Sequence, residues 1–199
     1  YNVSAPMAPW FKKNVGDKVF LVGVDYSTGR DIALHFRQAF EKLGGKVVGE
    51  SYAPLGTTEY TPFLTQMRNA KPKPDGCFGM YAGSDGVNWV RQFAEFGLKK
   101  EGYMYVGGLG VFQSVLLDAM GDACLGFWDC MHTVPYIDTP QNKVFMAAWR
   151  KAYPDEPIEE NGMLGFDVGT AIIKALDAVG GNAKDTEGLA KALHTIEYD

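Results

Sequence analysis

Apolar and polar residues follow one another along the first part of this chain in blocks of changing period. An apolar run rich in β-branched residues covers 18–24 and stops at Asp25. The next stretch, 29–43, has apolar positions that mostly recur every three or four residues. Four further strand-like runs follow, at 46–52, 75–81, 103–106 and 125–133. Strands that alternate with helices of about 10–15 residues indicate a parallel sheet covered on both faces. The pattern therefore predicts an α/β fold.

The same pattern predicts where the helices begin. A short amphipathic helix over 5–13 should precede the first strand, and helices over 87–96 and 112–120 should follow the third and fourth. Hydroxyl or carboxylate side chains that could cap or open helices stand before three of them: Ser27 or Thr28, Thr57 or Thr58, and Ser84 or Asp85. In the last strand, 125–133, apolar and polar residues alternate, which is typical of a strand near the sheet edge.

The character of the chain changes near residue 135. Three helical segments follow, over 142–153, 162–179 and 186–194, and the sequence shows no strand among them. Their apolar positions would need a surface to cover. We therefore expect a complete α/β unit followed by helices that lack a sheet of their own.

Composition disfavours some classes of partner. The chain has 199 residues, of which 46% are hydrophobic and 22% charged, with a formal net charge of −5. A negative charge without a Lys/Arg cluster disfavours nucleic acid as a partner, and no run of eighteen apolar residues predicts a transmembrane helix.

Motifs for catalysis, metals or cofactors are missing from the sequence. The three cysteines, Cys77, Cys124 and Cys130, lack metal-like spacing, and a strand between the last two would hold them too far apart to bridge. The run Gly107-Gly108-Leu109-Gly110 lacks the spacing of a dinucleotide fingerprint. Asp25 could be a ribose-binding or catalytic acid, but turn formation explains it better. We predict no metal and no cofactor.

A binding edge is the feature that remains. In a parallel sheet, ligands bind where the strands end at their carboxyl side. Hydroxyls, aromatic rings and bare amides converge there: Tyr26, Ser27, Thr28, Tyr81, Ala82, Gly83, Ser84, Gly108 and Leu109. Such an edge can hold a carboxylate and pack an apolar body, although each residue alone could serve only as a cap or turn residue.

Several segments resemble one known family. The stretches 18–29 and 40–50, and then 75–79 and 90–98, resemble in family order the type I periplasmic binding proteins of the branched-chain amino acid transporter class. The resemblance implies a fold of that type: one parallel three-layer α/β/α lobe plus helices of a second, incomplete lobe. It also implies a receptor that closes over a small-molecule solute and delivers it to the membrane permease of an ABC importer.

The resemblance also implies a domain organisation. Residues 9–133 would form the second lobe of the family, 134–138 the hinge crossover, and 139–199 helices of the first lobe. Residues 1–8 would enter from a missing first-lobe segment, because the chain starts without Met and stops soon after its last helix. We therefore expect an incomplete piece of a periplasmic protein, or of an extracellular lipid-anchored one. Self-association through the exposed first-lobe helices is a further expectation.

Ligand contacts carry over to only a few positions. The resemblance places Thr28, with Tyr26 nearby, at one contact and Tyr81 with Ala82 at another. Leu109 falls where amino-acid-binding members have an acid that pairs with the α-ammonium of the ligand. Leucine cannot form that pair, and an unpaired buried ammonium is strongly disfavoured. An aromatic or aliphatic acid, or an amide, fits better. The alternatives are an amide-sensing regulatory binding protein and an enzyme on a doubly wound fold.

Overall fold

Five parallel strands form a single sheet in the computed structural model, which describes residues 3–134 and 136–197. The spatial order is β2-β1-β3-β4-β5, and every neighbouring pair is parallel. The strands are β1 (Lys18–Val24), β2 (Lys46–Ala53), β3 (Gly76–Met80), β4 (Met104–Gly108) and β5 (Trp128–Cys130). The prediction of a parallel α/β sheet is confirmed, with the first four strands within two residues of their expected bounds.

Eight α-helices complete the described chain. They are α1 (Met7–Asn14), α2 (Ser27–Lys42), α3 (Thr61–Asn69), α4 (Gly83–Glu95), α5 (Leu117–Met120), α6 (Pro140–Ala152), α7 (Glu160–Ala178) and α8 (Thr186–Thr195). The prediction of one helix over 112–120 is wrong. Instead, α5 is a single turn flanked by the 3-10 turns Ser114–Leu116 and Gly121–Cys124.

Helices cover both faces of the sheet, as the pattern predicts. Successive residues of a strand point to opposite faces, so Leu21 joins the cluster packed by α1 and α2 while Val22 joins the cluster packed by α3 and α4. On the first face the Phe36 ring stacks on Phe78 with centroids 3.8 Å apart. Both rings are completely buried. The buried residues on the two faces of the sheet form two separate apolar cores.

The fifth strand lies at the sheet edge, as its alternation predicts, but it is shorter than expected. It covers three residues because Gly126, at φ 80°, turns the chain just before it. Trp128 is half exposed and packs against Trp10 of α1, with ring centroids 4.8 Å apart. A short edge strand leaves few unpaired backbone groups.

Three expectations about helix starts are wrong. Neither Ser27 nor Thr28 is the N-cap of α2, because the helix already begins at Ser27 after Tyr26. Neither Thr57 nor Thr58 opens α3, because that helix begins at Thr61, with proline in its first turn. The Thr57 hydroxyl instead donates to the Pro54 carbonyl in a preceding turn.

The third wrong start concerns α4. It begins at Gly83, so Ala82 is its N-cap and neither Ser84 nor Asp85 can be. Asp85 is buried and accepts a hydrogen bond from the Gly56 amide at 3.0 Å.

The chain divides into two compact units, Tyr1–His132 and Thr133–Asp199, named here the α/β unit and the helical unit. In the described part of the helical unit there are three helices and no strand. Two of them have side-chain caps: Thr139 accepts from the Asn142 amide and Asp185 from the Gly188 amide. The assignment of 9–133, 134–138 and 139–199 to receptor lobes stays a prediction. Residues 1–2 of the entry segment and Pro135 of the hinge lie outside the described residues.

Two further properties bear on function. In residues 3–134 and 136–197, none of the helices is long and apolar enough to cross a membrane. The three cysteines are free, with Cys77 buried.

Candidate ligand-binding site

The carboxyl ends of β1, β3 and β4 lie side by side. β3 pairs with β1 on one side and with β4 on the other. The chain leaves β1 for β2 at one edge and then returns across β1 to β3. Connections that diverge in this way open a crevice at the carboxyl ends of the two strands, where ligands bind in open α/β sheets. The residues expected to line a binding edge therefore come from three adjacent strand ends.

Two helices start directly at this edge and approach their strands closely. A Cβ at Gly29 of α2 would overlap the Val24 carbonyl, and one at Gly86 of α4 would overlap the Tyr81 carbonyl. Only glycine allows a helix to begin so close to the end of the preceding strand. The two strand–turn–helix units are thus built alike.

The N-termini of both helices are open. Tyr26 and Ala82 are the N-caps of α2 and α4, and neither makes a side-chain capping hydrogen bond. The first amides of an α-helix have no partner within the helix, and the helix dipole makes that end favourable for an anion. Ser27 and Ser84 are exposed and Thr28 is half-buried, so their hydroxyls stand beside these amides. The arrangement can accept a carboxylate.

Of the two candidate tyrosine rings, only one is accessible. Tyr26 is 38% exposed. The Tyr81 ring is completely buried and packs on Trp89 and Tyr60, with centroids 4.8 Å and 5.2 Å away. Burial raises the pKa of the Tyr81 hydroxyl above its ordinary value. The suggested packing of a ligand on the Tyr81 ring is therefore wrong for this structure, and the residue reaches the edge through its backbone alone.

The loop after β4, residues 109–113, is named here the Leu109 loop. Leu109 has φ 60° and is the only described non-glycine residue with positive φ. That conformation is unfavourable for a leucine side chain. The Leu109 amide donates to the Cys130 carbonyl at 2.9 Å, and its half-buried side chain packs against the core on the α1–α2 side. The backbone here is held in a strained form.

A carboxylate from β5 lies beneath this loop. Asp129 accepts hydrogen bonds from the Phe112 amide at 3.0 Å and from the Cys130 amide at 2.8 Å. Burial raises the pKa of the Asp129 carboxyl to about 6, while backbone N–H groups, those of Gly110 and Val111 among them, favour its charged form. Asp129 falls within the alternating stretch 125–133 and was not among the predicted site residues. No local sequence pattern signals its role, because only the pairing of β4 with β5 brings the Phe112 amide close to it.

Acids near the three strand ends have other partners. Asp25 forms an ion pair with Arg30 at 2.7 Å, as expected of a turn residue at a helix start. Asp85 binds the Gly56 amide, and the two oxygens of Asp129 bind loop amides. The described residues contain no group of three His, Cys, Asp or Glu side chains that could hold a metal ion. The edge thus offers donors for an anion, whereas these three carboxylates are engaged within the protein.

Comparison with known proteins identifies one family whose model matches this chain along the whole given sequence. A family model described as periplasmic binding protein matches residues 1–199. The Leu/Ile/Val-binding protein homolog 6 of Brucella melitensis biotype 1 is 27% identical over 203 residues, covering 100% of this chain and 50% of that protein. This chain spans about half the length of the curated relatives it matches.

Two solved structures to which this chain is similar are also binding proteins of ABC transporters. A solute-binding protein of an ABC transporter from Rhodopseudomonas palustris BisB5, in complex with 3,4-dihydroxybenzoic acid, is 34% identical with a TM-score of 0.81. One from strain HaA2, in complex with p-hydroxybenzoic acid, is 28% identical with a TM-score of 0.86. The matches cover 96% and 95% of this chain, and 51% of each of those chains. Because the periplasmic binding protein model matches every residue from 1 to 199, this chain belongs to that family.

Proposed function

We propose that this chain is part of a two-lobed receptor that binds a small organic carboxylate and delivers it to the permease of an ABC importer. Residues 9–133 would be one lobe, 134–138 the crossover and 139–199 helices of the other. Membership of the family supports an extracytoplasmic location, in the periplasm or at an extracellular lipid anchor. Association of copies through the exposed helices stays a prediction.

One observation carries the choice of solute: two uncapped helix N-termini start at adjacent strand ends. The amides of α2 and α4, with the hydroxyls of Ser27, Thr28 and Ser84, form a set of donors without a competing side-chain cap. Donors of this kind favour a carboxylate over a cation. Tyr26 supplies an exposed ring beside them for an apolar body.

The same edge is unfavourable for an ordinary α-amino acid. Leu109 stands where the family resemblance puts the partner of the α-ammonium, and Asp25, Asp85 and Asp129 are engaged elsewhere. A buried ammonium without a partner is costly. The 34% identical relative was solved with an aromatic acid, which supports the same class of solute here. The relatives named above are described as solute-binding or amino-acid-binding proteins, which supports binding without turnover.

Calorimetric titration of the full-length receptor tests this proposal. We expect 4-hydroxybenzoate or 4-methyl-2-oxopentanoate, the keto acid of leucine, to bind more tightly than leucine or benzamide, with the solute recovered unchanged. Leucine binding most tightly would contradict the solute class. Conversion of a bound solute would indicate an enzyme.

A variant of the same receptor locates the solute. Leu109→Glu places an unpaired charge beside the solute, so we expect it to weaken carboxylate binding by about 100-fold, equivalent to about 2.7 kcal/mol. Leu34→Glu makes the same change at an exposed position of α2 and is the matched control. Equal binding by the two variants would place the solute away from Leu109.

A further inference from the structure

Hydrogen bonds donated by backbone amides connect the Leu109 loop to β5. The Cys130 carbonyl accepts from the Leu109 amide at 2.9 Å and from the Gly110 amide at 3.4 Å. The Asp129 carboxylate accepts from the Phe112 amide, and its neighbourhood includes the Gly110 and Val111 N–H groups. Asp129 and Cys130, two consecutive residues of β5, therefore bind most of the amides of the Leu109 loop.

The space around Asp129 fits this contact closely. A Cβ at Gly107 of β4 would lie 2.9 Å from the Asp129 carboxylate and 2.9 Å from the Val111 Cβ. Glycine at position 107 thus lets the carboxylate and the loop pack directly on the strand. A larger residue there would push them apart.

Strain and restraint occur together in this turn. Leu109 takes a left-handed backbone conformation that a leucine adopts only when its surroundings impose it. Partial burial of the Asp129 carboxylate is itself costly unless the group is hydrogen-bonded. The Asp129 carboxylate binds the amides of the loop, and these hydrogen bonds can impose the left-handed conformation on Leu109.

We propose that Asp129 is a positioning residue, which holds the Leu109 loop in the conformation that forms one wall of the solute site. This inference rests on the proposed function, because it assumes that the Leu109 loop contacts the solute. Asp129 does not touch the solute itself, since both of its oxygens bind backbone amides. Its effect on binding passes through the loop.

The test compares Asp129→Asn with Asp118→Asn in the full-length receptor. Asp118 is an exposed acid of α5, so it controls for the loss of one charge. We expect Asp129→Asn to weaken binding of 4-hydroxybenzoate or 4-methyl-2-oxopentanoate, whichever the wild type binds more tightly, by about tenfold. We expect Asp118→Asn to stay within about twofold of the wild type.

Amide hydrogen exchange of the same variants separates positioning from general stability and needs no solute. Exchange at residues 110–112 should accelerate in Asp129→Asn while the amides of β1 and β3 keep their protection. In the Leu109→Gly background, where the positive φ costs nothing, the acceleration should shrink. Gly107→Ala, which displaces the carboxylate without removing it, should loosen the same amides if Asp129→Asn does not fold.

Each outcome has a distinct meaning. A wild type that binds none of the panel solutes contradicts the proposed function, and the exchange measurement then decides the role of Asp129 alone. Unchanged protection of 110–112 in Asp129→Asn and Gly107→Ala overturns the inference. A uniform loss of protection across the sheet also overturns it, because Asp129 would then only stabilise the fold.

Discussion

Helices α2 and α7 show how differently the two units use the same kind of apolar face. In α2 of the α/β unit, Phe36 and Phe40 are completely buried. In the longer α7 of the helical unit, Phe166, Ile172 and Ile173 are 39%, 48% and 61% exposed. α2 lies on a sheet, and the described part of the helical unit contains none. Helical periodicity is thus a local property of the sequence, whereas burial depends on a partner surface.

The helix N-termini of the two units also differ, in whether a side chain caps them. In the helical unit, Thr139 and Asp185 cap α6 and α8. In the α/β unit, the helices that start at the candidate site have no side-chain cap. Two of the three helices of the described helical unit are therefore capped, with α7 the exception, whereas both helices at the candidate site have open N-termini. An open N-terminus is expected where a ligand supplies the missing acceptor.

The largest expected effect comes from truncating matched phenylalanines. Phe36→Ala should lower the free energy of unfolding by about 3–5 kcal/mol, because it leaves a cavity in a stacked core. Phe166→Ala should cost less than about 1.5 kcal/mol in the 199-residue chain, since this ring is partly exposed. Chemical denaturation of both variants measures the difference.

Repeating this pair in the full-length receptor sharpens the comparison. If a first-lobe sheet covers α7 there, the cost of Phe166→Ala should rise towards that of Phe36→Ala. An equal and small cost of Phe166→Ala in both proteins would mean that the exposed face of α7 has no such partner.

A smaller effect concerns the half-buried Asp129 carboxyl of the α/β unit. The pKa of the Asp129 carboxyl is raised by burial from 3.8 to about 6, so the folded protein holds this proton more tightly than the unfolded chain. The contribution of Asp129 to stability therefore falls as the pH rises from about 4 to 6. When the pH is lowered from ~7 to ~4.5, the free energy of unfolding of the wild type should rise by on the order of 2 kcal/mol relative to that of Asp129→Asn.

Urea unfolding of the wild type and Asp129→Asn at several pH values measures this difference. Subtracting the two curves removes the titration of the other acids. A difference that is the same at every pH would show that the carboxyl is not perturbed by its surroundings.

The smallest expected effect tests the helix ends. Ala82→Ser offers α4 the type of oxygen that Thr139 gives α6. It should stabilise the protein by about 0.5–1 kcal/mol and weaken carboxylate binding, because the new hydroxyl competes for the same amides. Thr139→Ala should destabilise it by about 1 kcal/mol and leave binding unchanged.

Unfolding and calorimetry of both variants in the full-length receptor measure the two quantities. If Ala82→Ser stabilises the protein without affecting binding, the solute does not use the N-terminus of α4.

The sequence predicted the strands well and the site only in outline. Runs such as 18–24 are buried on both faces, so their apolar residues mark the strand directly. Helix starts were harder, because Gly83 and Pro62 rather than a hydroxyl or carboxylate side chain decide where α4 and α3 begin. The sequence alone could not show on which face of the sheet the Tyr81 ring packs, because that depends on the register of β3.

The role of Asp129 was beyond local patterns altogether. Its hydrogen-bond donor, the Phe112 amide, is seventeen residues earlier in the chain. Only the pairing of β4 with β5 brings the two together. Contacts made through a sheet edge have no period in the sequence, so an alternating strand was all that could be read there.

The indole pair at the sheet edge gives this protein a built-in optical reporter. Trp10 and Trp128 are 4.8 Å apart, close enough for their electronic transitions to couple and produce a paired signal in near-ultraviolet circular dichroism. Trp128 immediately precedes Asp129, so a movement of β5 that releases the Leu109 loop would also separate the two indoles. The signal should be lost in Trp10→Phe, and in the native protein its amplitude would follow the edge strand without any added dye.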